Sequence, residues 1–139
     1  MTTIAVRDGT TTLAHTQEKG IGVFAVRPLR RGAIILQCPY IVVGPRCRPE
    51  HGSDLEHYVF AFPFTRSGKP SARSSLSAVV FGDASMLNHA DIANCLWSWD
   101  LKLRVHKTIA ARDIEAGEEL TFCYGWEDHT WNDLGGKKA

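Results

Sequence analysis

Short runs of apolar and β-branched residues recur along the chain, and glycine, proline or polar residues separate one run from the next. Runs of this kind predict β-strands rather than helices. The strands are expected at residues 4–6, 10–15, 23–26, 33–43, 76–81, 95–99 and 120–124. Pro39 is expected to break the strand at 33–43. Alternation in residues 101–106 places Leu101, Leu103 and Val105 on one face, which predicts the second arm of a hairpin that continues through residues 108–111.

Polar segments rich in turn-forming residues join these strands. Residues 44–53 and 63–75 are predicted to be loops, the second of them a mobile surface loop. Residues 54–60 are expected to form one helical turn with Asp54 as its cap. The long amphipathic helices that a parallel α/β sheet requires are not indicated. The pattern therefore predicts a mainly β domain of short strands.

A polar bend at residues 81–95 separates two of the apolar runs. Asn88, His89, Asp91 and Asn94 lie within seven positions of it and follow neither a helical nor a strand period. Side chains of these types bond to nearby backbone and stabilise turns. A bend of this kind beside a core is a candidate place for a ligand to meet backbone groups.

Composition narrows the class of protein. Hydrophobic residues make up 44% and charged residues 22% of the 139 positions, as in a globular protein of one domain. The formal charge of +1 predicts no broad attraction to nucleic acid or membranes. The sequence has neither a signal peptide nor an apolar run of membrane-spanning length. We therefore expect a soluble protein of the cytoplasm, or of the nucleus if its source has one.

Cysteines and basic loops are the remaining candidate features. The four cysteines form no Cys-x-x-Cys pair, so no zinc knuckle is indicated and free, mostly buried thiols are expected. Positive charge concentrates in the two loops predicted above. The residues that carry it are Arg46, Arg48, Arg66, Lys69 and Arg73. A solvated surface would account for them, and docking of an acidic partner is the alternative.

Three motifs, in order along the chain, resemble those of the SET-domain protein lysine methyltransferases. Residues 19–25, Lys-Gly-Ile-Gly-Val-Phe-Ala, look like the opening Gly-x-Gly motif of that family. Residues 87–90, Leu-Asn-His-Ala, followed by Asn94 and Cys95, are similar to its Asn-His-Ser segment with the trailing Pro-Asn-Cys. Residues 117–125, Gly-Glu-Glu-Leu-Thr-Phe-Cys-Tyr-Gly, closely resemble its closing motif. The length is also similar to the smallest viral and bacterial members, which are bare SET domains.

The resemblance implies a β-clip fold of small sheets. In that fold residues 120–125 would thread beneath the Asn-His segment as a C-terminal pseudoknot. One SET domain would span residues 1–139, with a core that ends near residue 126 and a fraying tail at 127–139. The resemblance also implies S-adenosylmethionine as cofactor, S-adenosylhomocysteine as product and a lysine of a protein or peptide as methyl acceptor.

Site residues are carried over only where this sequence matches the family motifs. Tyr124 matches the catalytic tyrosine, whose hydroxyl orients the lysine nitrogen and the sulfonium methyl. The resemblance assigns cofactor contacts to Lys19, Gly20, Ile21, Gly22, Asn88, His89, Tyr124 and Trp131. Asn88 would hold the amino-acid end and ribose of the cofactor, and the His89 backbone would pair with adenine. Trp131 would stack on the adenine.

An aromatic channel for the substrate lysine is the second implied site. The residues assigned to it are Tyr58, Trp97, Phe122 and Trp126. Trp97 and Phe122 sit near family positions where an aromatic side chain limits how many methyl groups are added. Each of the four could instead be an ordinary core residue.

The sequence departs from the family pattern at three places. Ala90 stands where serine is usual, and Ile92-Ala93 replaces the common Asp-Pro, so cofactor binding could be weakened. No cysteine-rich zinc segment follows Gly125. Because such a segment often completes the lysine channel, we expect the tail, the substrate or a second copy in a homodimer to close it.

Three alternatives are compatible with the residues. A degenerate SET domain would bind a peptide or the cofactor without turnover. A hydrolase would use Cys95 or Ser85 with His89, although no nucleophile elbow is present. A metal site would use His89, Asp91 and other histidines, although no spaced ligand motif supports it.

Overall fold

Two small sheets form the fold of residues 9–124, the part of the chain that the computed structural model describes. The strands are β1 (Thr11–His15), β2 (Ile21–Ala25), β3 (Ile34–Val43), β4 (Phe60–Ala61), β5 (Ser77–Val80), β6 (Asn88–His89), β7 (Cys95–Asp100), β8 (Val105–Ala110) and β9 (Glu119–Phe122). The first sheet has the order β1-β2-β9-β6 and the second the order β4-β5-β3-β8-β7. The prediction of a mainly β fold of small sheets is confirmed.

Strand β3 continues through Pro39, so the prediction of a break there was wrong. Residues Ile34 to Pro39 pair with β8, and Tyr40 to Val43 pair with β5 on the other side. Pro39 therefore stands where the strand changes partner, and the missing N–H does not interrupt either ladder. Its carbonyl still accepts a hydrogen bond from the Phe81 N–H at 2.9 Å.

The hairpin that follows the polar bend differs from its prediction. Residues 101–104 form the turn between β7 and β8, and Leu103 is 68% exposed. The second arm is Val105–Ala110, and its buried positions are His106, Thr108 and Ala110. Leu101 and Leu103 of the apolar alternation therefore lie in a turn, Val105 begins β8, and the inward face of β8 is largely polar.

Two further local predictions need correction. Residues Asp54–Tyr58 form a 3-10 helix, but its N-cap is Ser53, and Phe60 belongs to β4 instead of the helical turn. The polar bend contains a 3-10 turn at Asp83–Met86 followed by the two-residue strand β6. A third 3-10 turn spans Pro45–Cys47.

The C-terminal strand β9 lies at the centre of the first sheet. It pairs antiparallel with β2 and parallel with β6. After β6 the chain leaves β9 and returns at Asn94, whose N–H meets the Thr121 hydroxyl at 3.3 Å. The arc of residues 88–94 thus crosses β9, as expected for the pseudoknot. Threading of this kind is rare, because chain connections seldom pass beneath one another.

The core has two adjoining parts. One lies around β9 and contains Val23, Leu87, Leu120 and Phe122, each at most 1% exposed. The other lies around Tyr40, Phe62 and Phe64 on the second sheet. Phe60, Leu36 and Trp99 pack against both parts and join them. The first part of the core supports the strands that carry the three sequence motifs.

All four cysteines are free, as expected, but only two of them are buried. Cys38 and Cys95 are buried, Cys123 is half-buried and Cys47 is exposed. Between residues 9 and 124, no helix is long and apolar enough to cross a membrane.

Candidate functional site

The three sequence motifs meet where β2, β6 and β9 lie side by side. The Asn88 side-chain amide donates to the Ile21 carbonyl at 3.2 Å and to the Glu119 carboxylate at 2.8 Å. One residue from each motif therefore takes part in the same cluster of hydrogen bonds. Because both bonds use Nδ2, the Asn88 side-chain oxygen remains an acceptor for a bound group.

The two glycines of the first motif are needed for different physical reasons. Gly20 has a φ of +75°, and no heavy atom lies within 4 Å of where a Cβ would stand, so it borders open space. At Gly22 a Cβ would lie 2.6 Å from Glu119 Oε2 and 3.1 Å from Asn88 Nδ2. Gly22 thus allows the second and third motifs to approach β2 closely.

Lys19 connects the first motif to the arc of residues 88–94. Its ammonium donates to the His89 carbonyl at 3.1 Å. This carbonyl belongs to the backbone that the resemblance assigns to adenine. A carbonyl oxygen has two lone pairs, so it can accept from Lys19 and from a second donor at the same time.

The His89 imidazole is held between the backbone of Tyr124 and a carboxylate. Its Nδ1 accepts from the Tyr124 N–H at 3.0 Å, and its Nε2 lies 2.9 Å from Asp91 Oδ1. Because Nδ1 accepts, this geometry requires the neutral tautomer with the proton on Nε2, which then donates to Asp91. The His89 imidazole thereby holds the backbone of Tyr124 in position within the closing motif.

The Tyr124 hydroxyl is held by the residue that precedes Asn88. It donates a short hydrogen bond to the Leu87 carbonyl. Burial, and to a smaller extent the nearby Tyr58, raises the pKa of the Tyr124 phenol to about 12. The phenol therefore stays protonated at neutral pH, with its proton directed to Leu87 and its oxygen lone pairs available to a neighbouring donor.

The predicted channel residues lie in different surroundings. Tyr58 is 46% exposed, whereas Trp97 is 6% and Phe122 0% exposed. The Trp97 and Phe122 rings touch edge to face with centroids 4.7 Å apart. Phe60, which sequence reasoning did not select, packs on both, at 5.2 Å from Trp97 and 6.1 Å from Phe122. Trp126 and Trp131 lie outside the described residues.

Two other residues at the site were missed by sequence reasoning. Glu119 was not selected as a site residue, and Asn94 was noted only as part of the polar bend and of the second motif. The buried Asn94 side chain accepts from the Thr121 N–H at 2.9 Å and donates to the Glu119 carbonyl at 2.8 Å. Thr121 and Glu119 both belong to the closing motif, and they meet Asn94 only because the chain crosses itself here.

The structure gives no support to the hydrolase alternative. Burial raises the pKa of the Cys95 thiol to about 12, which suppresses the thiolate that nucleophilic attack requires. The Ser85 hydroxyl donates to the Gly82 carbonyl at 2.9 Å. Among residues 9–124, no group of three or more histidine, cysteine or acidic side chains could hold a metal ion.

Comparison with known proteins identifies the family that the three motifs indicate. The family model described as the SET domain matches residues 20–125. This chain belongs to the SET-domain family. A Schizosaccharomyces pombe protein named histone-lysine N-methyltransferase, H3 lysine-37 specific, is 28% identical over 121 residues, which are 86% of this chain and 74% of that protein.

A solved structure shows the same SET fold. It is that of a Plasmodium falciparum protein described as a candidate histone methyltransferase. The TM-score is 0.61 at 20% identity, over 84% of this chain and 97% of the other. The family model matches from Gly20 to Gly125, so the match contains the second and third motifs and all of the first except Lys19.

The departure at Ala90 does not disturb the contact between the arc and β9 in this SET domain. The Ala90 N–H donates to the Phe122 carbonyl at 2.9 Å, which ties the arc to β9 through the backbone. This bond does not need a side-chain hydroxyl. The replacement of serine by alanine therefore leaves the crossing of the two segments intact.

Proposed function

We propose that this SET domain transfers a methyl group from S-adenosylmethionine to the ε-amine of a protein lysine. The observation that carries the proposal is the meeting of three motifs around β9. The Asn88 side chain bonds to Ile21 and lies against Gly22, and the Tyr124 hydroxyl bonds to the carbonyl of Leu87, the residue before Asn88. Family membership supports methyl transfer to lysine in general.

The residues present fit the cofactor. Gly20 faces open space, the Asn88 side-chain oxygen is left as an acceptor, and the His89 carbonyl has a second lone pair. These groups would hold the cofactor together with the backbone of Lys19 and Ile21. When bound, it would supply a methyl group already activated by a positive sulfur, so the protein mainly has to position the two reactants.

Tyr124 would orient the attacking nitrogen. With its proton on the Leu87 carbonyl, the phenol oxygen can accept an N–H of the substrate lysine. A phenol whose pKa is raised to about 12 is poorly suited to removing a proton at neutral pH. Its role is therefore to direct the amine, not to act as a base.

The lysine must lose its proton before attack. An apolar entry and a nearby positive sulfur both lower the pKa of an ammonium, whose ordinary value is about 10.4. Tyr58 supplies exposed aromatic surface near Tyr124, and Tyr124 packs against the part of the core that contains Trp97 and Phe122. Such rings also accept the methylated ammonium product through cation–π contact. The name of the Schizosaccharomyces pombe relative makes histone H3 the first substrate to test.

Calorimetric titration with S-adenosylmethionine is the first test. Wild type should bind saturably, and Asn88→Ala should weaken binding at least about tenfold, because a polar group of the ligand loses its partner. Gln37→Ala is the matched control, since Gln37 is an exposed amide on β3 of the other sheet. A folded wild-type protein that does not bind would refute the proposal.

Turnover is measured by tritium transfer to histone H3. Tyr124→Phe should keep cofactor affinity within a few-fold and lower the transfer rate about a hundredfold, because the amine is no longer oriented. Unchanged transfer by Tyr124→Phe would contradict the assigned role. Cofactor binding without transfer to any lysine-bearing protein would favour a degenerate binding module.

A further inference from the structure

A cleft lined by two arginines opens where the turn between β7 and β8 meets the loop at residues 63–75. Its volume is about 80 Å³, and its floor includes Phe62. The lining residues are Phe62, Thr65, Arg66, Ser67, Gly68, Leu101 and Arg104. None of them belongs to the three motifs described above, and none is acidic.

The loop at residues 63–75 contains a tight hairpin that shapes one wall. The Thr65 N–H donates to the Lys69 carbonyl at 2.7 Å, and the Gly68 N–H donates to the Thr65 carbonyl at 2.9 Å. This closed turn leaves the N–H groups of Arg66 and Ser67 without an acceptor among the described residues. The Thr65 and Ser67 hydroxyls lie 3.0 Å apart and share one hydrogen bond, so one hydroxyl proton remains to be donated.

The opposite wall holds Arg104 in a costly backbone conformation. Its φ of +58° is the only positive value of a non-glycine residue in the described chain. That conformation costs a non-glycine residue on the order of 1 kcal/mol. The Arg104 carbonyl accepts from the Tyr40 N–H at 3.1 Å, and its guanidinium lies 5.8 Å from the centroid of the Tyr40 ring. These contacts hold the guanidinium in place without neutralising its charge.

Neither arginine of the cleft forms an ion pair with a described carboxylate. By contrast, Arg112 pairs with Glu118 at 2.9 Å. Asp100, which precedes the turn, accepts from the Lys102 and Leu103 N–H groups and lies 3.7 Å from the Lys107 ammonium. The acid nearest in sequence to Arg104 is therefore engaged elsewhere.

Positive charge extends from the cleft to the next loop. The Arg66 guanidinium reaches to 3.4 Å from the position of a Cβ on Gly44, directly before the 3-10 turn that carries Arg46. The two basic loops noted in the sequence thus adjoin in space. With Arg104 they gather cations from three separate parts of the chain.

We propose that this cleft binds a carboxylate side chain from an acidic segment of a partner protein. Guanidinium groups match a carboxylate through paired N–H donors, and the N–H groups and hydroxyl of the Thr65–Gly68 turn add neutral donors. A nucleic acid is a poorer match, because binding to it needs a row of phosphate contacts and the chain carries a formal charge of only +1. The site is separate from the proposed methyl-transfer site.

Fluorescence anisotropy with a labelled hexaglutamate peptide tests the site without any cofactor. Wild type should bind it saturably and should not bind hexaglutamine. The double variant Arg66→Gln/Arg104→Gln should weaken binding about tenfold, the modest loss expected for two exposed charge pairs. Arg104→Lys, which keeps the charge but not the paired donors, should give an intermediate loss.

Arg30→Gln/Arg31→Gln is the matched control. It removes the same two positive charges as the Arg66/Arg104 double variant. The two residues precede Ala33, which bonds to Ala110 at the end of β8 away from Arg104, so this control should leave binding unchanged. An equal loss in this control would overturn the proposal, because only net charge would then matter. Stronger competition by inorganic phosphate or duplex DNA than by acetate and free hexaglutamate would also overturn it.

The NMR chemical shifts of the backbone amides locate the bound peptide and show whether each variant is folded. Titration of wild type with hexaglutamate should shift the Arg66 and Ser67 amides most. Binding with shifts elsewhere and none at these amides would refute the assignment to the cleft.

Discussion

Two clusters of buried polar groups near Phe122 differ in how they are bonded. In the first, beneath the polar arc, Asn94 exchanges hydrogen bonds with the backbone of Thr121 and Glu119 at 2.9 and 2.8 Å. In the second, on the inward face of β7 and β8, the ring nitrogens of His106 and the Thr108 hydroxyl bond to no other described residue. His106 instead packs among the rings of Phe60, Trp97, Trp99 and Phe122.

The difference separates a stabilising polar cluster from a destabilising one. A buried polar group contributes only when its partners are present, and without them it costs roughly 1–3 kcal/mol. Asn94 therefore helps to hold the threaded strand β9 in register at the candidate site. His106 lowers the stability of the aromatic core that contains Trp97 and Phe122.

Asn94→Ala should have the largest effect on stability. It leaves the Thr121 N–H and the Glu119 carbonyl without partners inside the protein, so the free energy of unfolding should fall by about 3–4 kcal/mol. Urea denaturation measures the loss. Asn88→Ala is the control, since that half-buried amide should contribute about 1 kcal/mol or less. Equal losses in the two variants would show that the first cluster has no special role in the threading.

The second cluster predicts a dependence of stability on pH. Burial lowers the pKa of His106 to about 3, whereas in the unfolded chain it would be about 6.5. Below pH 6.5 the unfolded state takes up the proton first, so stability is present above that pH and is lost as the pH falls towards 3. Between pH 6.5 and 4.5 the loss due to His106 should be about 2 kcal/mol.

Other groups titrate in the same range, so the His106 contribution is the difference between wild type and His106→Leu. Urea denaturation at several pH values measures both proteins. Parallel curves for the two would contradict the prediction, because the slope would then come from carboxylates alone.

At neutral pH His106→Leu should raise stability. A leucine of similar volume removes two nitrogens without partners and keeps contact with the surrounding rings, so a gain of about 1–2 kcal/mol is expected. Thr108→Val, which removes one hydroxyl at nearly constant shape, should give a smaller gain. Thermal unfolding at pH 7 checks both, and a loss in both variants would mean that these polar atoms are stabilised within the core.

Between residues 9 and 124 most of the strands were predicted, because strand formation depends on local residue types, whereas the short strands β4 and β6 were not. The strand expected at residues 4–6 lies outside the described residues. The prediction failed at residues 101–106, where Leu101 and Leu103 suggested an inward face that β8 builds from His106 and Thr108. Alternation reports which side chains are apolar, and it becomes misleading when a buried face is polar.

The sequence did not predict the long-range contacts at the site, and the reason is different. Glu119 lies 31 positions from Asn88 and Asn94 lies 27 from Thr121, and each pair meets only because β9 passes under the arc. The resemblance implied the threading but assigned no role to Glu119. The crowding of Gly22 against Glu119 likewise appears only once the three strands are side by side.

Glu119 supports the smallest of the predicted effects and links the polar cluster to the cofactor. Its carboxylate accepts from Asn88 at 2.8 Å, and this fixes which end of the amide faces outward. Glu119→Ala should weaken binding of S-adenosylmethionine about three- to fivefold, because the Asn88 amide can then rotate. Glu119→Gln keeps a side-chain oxygen that can accept from Asn88, so its calorimetric affinity should stay close to that of wild type. Loss of affinity in Glu119→Gln as large as in Glu119→Ala would show that the negative charge itself is required, and Glu119 would then be more than a positioning residue.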